Sequence, residues 1–412
     1  MAEIKQWLGG AALVALCVGL GSGAQAATEV RVIVSHYSDQ TGPIFEAMAE
    51  AFEASNPDID VIIEDVAWGA LQQRLTTDIA AGTAPDISII GTRWLVDFVE
   101  NDIVEPLDQY MDDDFKSRFI ETFMGPSTIS DQIYGLPVAA SARAMYYNKG
   151  LMEQAGVTEP PTTWDDLQAA AEQISALGDD IHGFGLQGGG ETETDAYWYY
   201  SLWTHGGDII DADGKSGVGS AEAIAAASRY KDLIDAGLTQ PGVTNYNRQD
   251  VEGMLKQGKV GMILSGPWLR GQMKEEAPDV DYGIAGIPAG TAQATYGVTD
   301  SIVIFADSEV KDEAWKFLAE AAFTDEWRSE FTQKEGFLPV FKSVAEDAHF
   351  ASDPELKAFT DMLPHARFAP LIANWQEVAD TTKSALQQIY LGDAEVEPAL
   401  TAAADKIDSI LN

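Results

Sequence analysis

The chain has 412 residues, with 66 acidic against 25 basic side chains and a formal net charge of −41, a balance that repels nucleic acid and anionic lipid surfaces. Its only cysteine is Cys17, so once the N-terminal segment is removed the chain has no disulfide, thiolate metal site or cysteine nucleophile. The length exceeds what one hydrophobic core usually supports, and two or more domains are expected.

The chain opens with Lys5 ahead of an uncharged apolar run from Leu8 to Leu20, followed by Ala24-Gln25-Ala26. This is the layout of a secretory signal peptide over residues 1–26, with a mature chain beginning near Ala27. The apolar run is shorter than the roughly 20 residues that span a bilayer. A short membrane anchor is the weaker reading, because a small-residue cleavage site follows at once. A lipid anchor on Cys17 would want a small residue where Leu16 stands. Export, size and the missing disulfides together point to a bacterial periplasm, and the chain is read as a monomer.

Next, β-rich runs alternate with helical ones: Val30 to His36, Pro43 to Ser55, Ile59 to Val66, Gly69 to Ala81, Ile87 to Gly91 and Arg93 to Asn101. This βαβαβα order predicts an α/β fold with a parallel sheet and helices on both faces. In the first helix Ile44, Ala47, Met48, Ala51 and Phe52 recur at helical spacing, and Asn56-Pro57-Asp58 ends it. Helices dominate from Asn148 to about Met273. Thr163-Trp164-Asp165-Asp166 reads as a capping signature, and Ala221 to Ala236 as a long amphipathic helix. Asp213-Gly214 marks a tight turn. Val260 to Leu264, Tyr282 to Ile287 and Ser301 to Phe305 resume the β pattern, and Pro354 to Asn412 is helical. Two lobes joined by short crossovers fit this order, with Leu136 to Ala140 and Gly286 to Gly290 as crossovers. The lobes are read as 27–137 plus 290–337 and 138–289 plus 338–412, with a ligand cleft between them.

Several phrases, in this order, resemble the extracellular solute-binding proteins of the maltose-binding type. They are Ala84-Pro85-Asp86-Ile87; Tyr134-Gly135-Leu136-Pro137 followed by Tyr147-Asn148-Lys149; Trp203-Thr204-His205-Gly206-Gly207-Asp208; Gly258-Lys259-Val260-Gly261-Met262 leading to Ser265-Gly266-Pro267-Trp268; and Glu313-Ala314-Trp315-Lys316-Phe317-Leu318. The resemblance covers essentially the whole mature chain. It implies a periplasmic binding protein fold that closes over ligand without catalysis, a sugar-like ligand, and an inner-membrane ABC permease with cytoplasmic ATPases as partner. Close maltose binders carry a Trp after the third strand and an acidic residue after the crossover. Here Gly91-Thr92-Arg93 and Ser141 stand there, so a maltodextrin is not the expected ligand.

In a parallel sheet the ligand-facing loops follow the strands' carboxyl ends. After the first strand, His36, Tyr37 and Asp39 offer hydrogen bonds to hydroxyls, or else cap and pack the next helix. Asp65 and Trp68 follow the second strand, and Trp68 is either a stacking face or core. Thr92 and Arg93 follow the third, with Arg93 a ligand donor or a surface ion pair. Trp268 is the leading candidate, with a buried-core Trp as its alternative: in the resembled family the Trp of Gly-Pro-Trp stacks under a pyranose ring, and a sugar's apolar face pairs well with an indole. Trp198 stands in the aromatic cluster Tyr197 to Trp203, of which one face is core and the other a possible cleft wall. Ser141 and Asp300 flank the crossovers, Asp300 being a hydroxyl acceptor or a turn cap. Arg367 and Trp375 stand where the family often brings an Arg and an aromatic ring to the ligand, Arg367 being a fork onto hydroxyls or a carboxylate, or else a packing or surface Arg.

The rival from another class is an exported hydrolase. Paired carboxylates prove nothing in so acidic a chain, and there is no G-x-S-x-G, no H-E-x-x-H, and no metal-ligand spacing among the five histidines. No catalytic residue, metal or cofactor is therefore assigned. Gly183-Phe184-Gly185-Leu186-Gln187-Gly188 matches the dinucleotide pattern but reads as a strand end and loop. A polyamine receptor of the same fold is the second rival, with Asp39, Glu64 and Asp65 as its carboxylates.

Overall fold

A computed structural model of the chain describes residues 27–190 and 194–412, so the signal-peptide segment lies outside the described residues. β1 (Thr28–His36), β2 (Ile59–Ala67) and β3 (Ile87–Gly91) are parallel, with β1 between the other two. The strand Val298–Ile304 runs antiparallel beside β3 and Leu136–Ser141 beside it in turn, completing a five-stranded sheet. Successive side chains of β1 point to opposite faces. Val32 and Val34 join the core under α1 (Thr41–Ser55), while Ile33 joins Leu71 and Leu75 of α2 (Trp68–Ala81) on the other face. A sheet covered on both faces needs apolar residues throughout, which explains the continuous Val-Ile pattern.

The buried face of α1 differs from the expected one: Ile44, Phe45, Met48, Ala49 and Phe52 are buried, and Ala47 and Ala51 are exposed. Phe45 packs edge-on to Phe331 and Phe52 to Phe317, so the larger rings set the face. Exposed alanine methyls cost little.

Ala144–Asn148, His182–Gly185, Val260–Ser265 and Tyr282–Ala285 form a second, four-stranded sheet. The chain passes from the first sheet to the second between Ser141 and Ala144, and returns between Ala285 and Val298. A later stretch stays with the first sheet, where Leu338 N–H donates to the Ala140 carbonyl. The chain then reaches the second, where Glu355 accepts from the Tyr282 hydroxyl. The helix Trp375–Leu391 and the last helix, Val396–Leu411, pack against the second lobe's helices. Because Val298–Ile304 runs against β3, its first residues lie at the same edge as the carboxyl ends of β1, β2 and β3. Both passages between the sheets therefore open onto one cleft.

Candidate functional site

At the end of β1 the chain turns sharply into α1. Thr41 Oγ1 accepts from the backbone N–H groups of Tyr37 and Ser38 at 3.1 and 3.2 Å and donates to Glu335 Oε1 at 2.5 Å. His36 turns outward, its Nδ1 2.8 Å from Asp65 Oδ2 and its Nε2 3.7 Å from Asp39. The hydrogen bond to Asp65 holds the imidazole pKa above its ordinary value, and burial pushes Glu335 above the usual carboxylate range. Tyr37 turns inward and donates its hydroxyl to Asp300 Oδ2 at 2.8 Å. Burial, then the Asp300 charge, raises this phenol well above its usual value. It is a fixed donor at neutral pH.

Trp68, at the junction of β2 and α2, stacks on Trp94 at 5.5 Å with 21° between planes, and faces Tyr37 at 6.2 Å. Gly91 lets the two indoles approach: a Cβ there would meet Trp68 Cη2 and Trp94 Cε2, each at 3.3 Å. Thr92 donates to the Thr299 carbonyl and lies 2.8 Å from Ser301 Oγ, which ties β3 to the returning strand. Arg93 projects towards the second lobe, its Nη1 4.0 Å from Asp195 Oδ2.

At the other passage Arg143 is buried, 3% exposed. Its N–H donates to Thr295 Oγ1 at 2.9 Å and its Nη1 to Ser141 Oγ at 2.7 Å. Among the described residues no carboxylate lies within ion-pair distance of it; its guanidinium instead lies 4.7 Å from the Trp268 ring centroid. Phe368 covers Gly297, where a Cβ would fall 2.7 Å from the phenyl ring. These parts meet in one pocket between the lobes, lined by Trp68, Thr92, Arg93, Asp300 and Pro126 from the first, by Ala196, Tyr296 and Phe368 to Leu371 from the second, and by Arg143 at the passage. Its lining has one partly exposed indole, hydroxyl and guanidinium donors, and a carboxylate acceptor. No described group of His, Cys, Asp and Glu could hold a metal ion.

A model of the bacterial extracellular solute-binding proteins matches residues 37–326. The chain belongs to this family. A relative in Brucella abortus (strain 2308) is 54% identical over 410 residues, 99% of each chain. The maltotriose-binding protein of Pyrococcus abyssi is 26% identical over 354 residues, 84% of this chain and 74% of that one. Among solved structures, an ABC transporter solute-binding protein of Thermotoga lettingae bound with α-D-tagatose has a TM-score of 0.86 and 25% identity, covering 94% of this chain and all of that one. The two-lobed periplasmic binding protein fold expected from the sequence is thus shown, as is a substrate-binding role.

Of the candidates read from the sequence of this solute-binding protein, Trp68, Thr92, Arg93 and Asp300 line the pocket, and Tyr37 and Ser141 touch its lining through Asp300 and Arg143. His36, Asp39 and Asp65 cluster with one another beside it. Trp268 is not among the lining residues: it is half-buried, its Nε1 donates to Glu252 Oε1 at 3.0 Å, and the guanidiniums of Arg143 and Arg248 lie 4.7 and 4.8 Å from its centroid. Trp198 and Trp375 are buried in the second lobe's core, 0% and 1% exposed. All nine residues of Ala196–Thr204 are buried, so that helix has no cleft wall of its own beyond Ala196. Arg367 pairs with Asp208 and lies over Trp203.

Arg143, Asp195, Tyr296 and Phe368 were not singled out from the sequence. Arg143 stands only two residues past Ser141, and the crossover that flagged one could have flagged the other. The remaining three are brought in by tertiary packing that no local pattern announces.

Proposed function

We propose that this chain is the periplasmic receptor of an ABC importer for a sugar or sugar derivative, exported by a cleaved signal peptide over residues 1–26. It acts as a monomer and delivers its ligand to an inner-membrane permease with cytoplasmic ATPases. The observation that carries the reading is the Trp68 face set beside Thr92, Arg93, Arg143 and Asp300. A pyranose has an apolar face and a rim of hydroxyls, which suits an indole ringed by donors and an acceptor. In this proposal Trp68 stacks the ring, Asp300, held by Tyr37, accepts hydroxyl hydrogens, and Arg93 and Arg143 donate to hydroxyl oxygens.

A division into two lobes, 27–137 with 290–337 against 138–289 with 338–412, belongs to the same proposal; the two sheets support two lobes but set the crossings between Ser141 and Ala144, between Tyr296 and Val298, and beyond Lys342. So does the absence of catalysis, since the family and the relatives above are binding proteins. The pocket's guanidiniums weigh against a polyamine, whose ammonium groups they would repel.

The test is a thermal-shift screen of the mature protein against mono- and oligosaccharides, polyols, sugar acids and polyamines. A ligand that binds only the folded state adds about 2.7 kcal/mol at a hundredfold excess over its Kd. A rise in Tm with a saccharide or polyol is expected. A rise with polyamines alone overturns the sugar reading.

A further inference from the structure

Away from the passages that join them, contacts between the lobes beside the pocket include two polar ones. Arg93 Nη1 lies 4.0 Å from Asp195 Oδ2, and Asp195 is buried, its side chain 3% exposed. One helical turn beyond Arg93, Asp97 Oδ1 accepts the backbone N–H of Asn374 at 3.1 Å. Asn374 has φ +58° and stands immediately before the helix that starts at Trp375. It also ends the segment that begins with Phe368 and lines the pocket through Leu371. The segment is anchored at its other end by the Arg367–Asp208 pair and by Phe368 on Gly297. It is therefore a strap running from the second lobe across the pocket to the first.

From these contacts we infer that the cleft is built for a single sugar ring or an open-chain polyol, and that the strap and the Arg93–Asp195 pair exclude a second ring. The inference rests on the sugar reading given above. One side of the pocket is closed by covalent chain, the residues around Arg143 and Tyr296. Another is closed by Trp68, backed by Trp94 and by Tyr37 on Asp300. The strap takes a third, and the ion pair with the Asp97 bond takes the side where the lobes meet. An oligosaccharide extending past Trp68 would have to hold the lobes apart there. Both contacts between the lobes, the Arg93–Asp195 approach and the Asp97–Asn374 hydrogen bond, would then be lost. A single ring lets both contacts form.

The experiment is isothermal titration of the mature, full-length receptor with each monosaccharide or polyol that raises its Tm, and with disaccharides that carry the same unit at either end. The expected result is that every disaccharide binds at least tenfold more weakly than the single unit. A disaccharide or longer oligosaccharide that binds within tenfold of the single unit, or more tightly, overturns the size limit and leaves the sugar reading standing. No heat and no thermal shift with any sugar or polyol overturns both.

Discussion

At the scale of single residues, the site depends on close approaches that only small side chains permit. Trp68→Ala removes the proposed stacking face and the ring that rests on Trp94. An aromatic pair is worth about 0.5–1.5 kcal/mol beyond its burial, so the variant should melt a few degrees lower and bind ligand at least tenfold more weakly in calorimetry. Unchanged affinity would place the ligand elsewhere. Gly266 is a stricter case. A Cβ there would meet Trp268 Cη2 and Cζ3 at 2.2 Å, so Gly266→Ala must displace the indole from its bond to Glu252. Overpacking of this kind costs about 1–3 kcal/mol, to be read from the denaturation midpoint.

The His36–Asp65 pair makes a pH prediction. A raised imidazole pKa contributes stability that is complete below the unfolded value of about 6.5 and disappears as pH rises through the folded value. His36 is 41% exposed in its side chain, so solvent screening keeps the effect at or below about 1 kcal/mol. Glu335 adds the same sign at lower pH, because burial raises its pKa and the folded state holds its proton more tightly. From pH 6 to 8 wild type should lose Tm relative to His36→Gln; parallel curves would show that the pair is energetically silent.

At the scale of elements, local signals were legible where the chemistry is local. Thr163-x-x-Asp166 read as a cap, and both hydrogen bonds of a capping box are present, with Thr163 Oγ1 accepting the Asp166 N–H at 3.1 Å. Thr163→Ala should therefore cost about 1 kcal/mol while leaving ligand affinity unchanged, since this helix lies outside the cleft; a fall in affinity would mean that the helix communicates with the site. The strands were legible for a similar reason, because a doubly covered sheet writes continuous Val and Ile into the chain. The aromatic helix from Ala196 to Thr204 was not. Its residues are apolar all round, so no face distinguishes cleft from core, and burial on every side was decided by Tyr296, Trp375 and Tyr230 arriving from distant segments. The strap was equally hidden: Phe368-Ala369-Pro370-Leu371 has no periodicity, and its role comes from where Gly297 and Asp97 stand in space.

At the scale of the whole molecule, the cleft can serve transport only if the lobes separate and rejoin, and a bond between them biases that equilibrium. The Asp97 carboxylate and the Asn374 N–H belong to different lobes and neither lines the pocket, so their 3.1 Å contact exists in the closed arrangement and is lost when the lobes part. A hydrogen bond to a charged acceptor is worth about 1.5–3 kcal/mol when both partners are desolvated, and less here because Asp97 is only half-buried. If ligand binds the closed arrangement, any loss of closed population lowers apparent affinity by the same factor. Asp97→Ala should thus weaken binding by roughly three- to tenfold at about 0.6–1.4 kcal/mol, chiefly through faster dissociation. In small-angle scattering the unliganded variant should have a larger radius of gyration than unliganded wild type, and the two should converge at ligand saturation. Equal radii with equal dissociation rates would mean that the contact follows closure without contributing to it, and closure would then be driven by ligand contacts and the remaining contacts between the lobes, the Arg93–Asp195 pair among them.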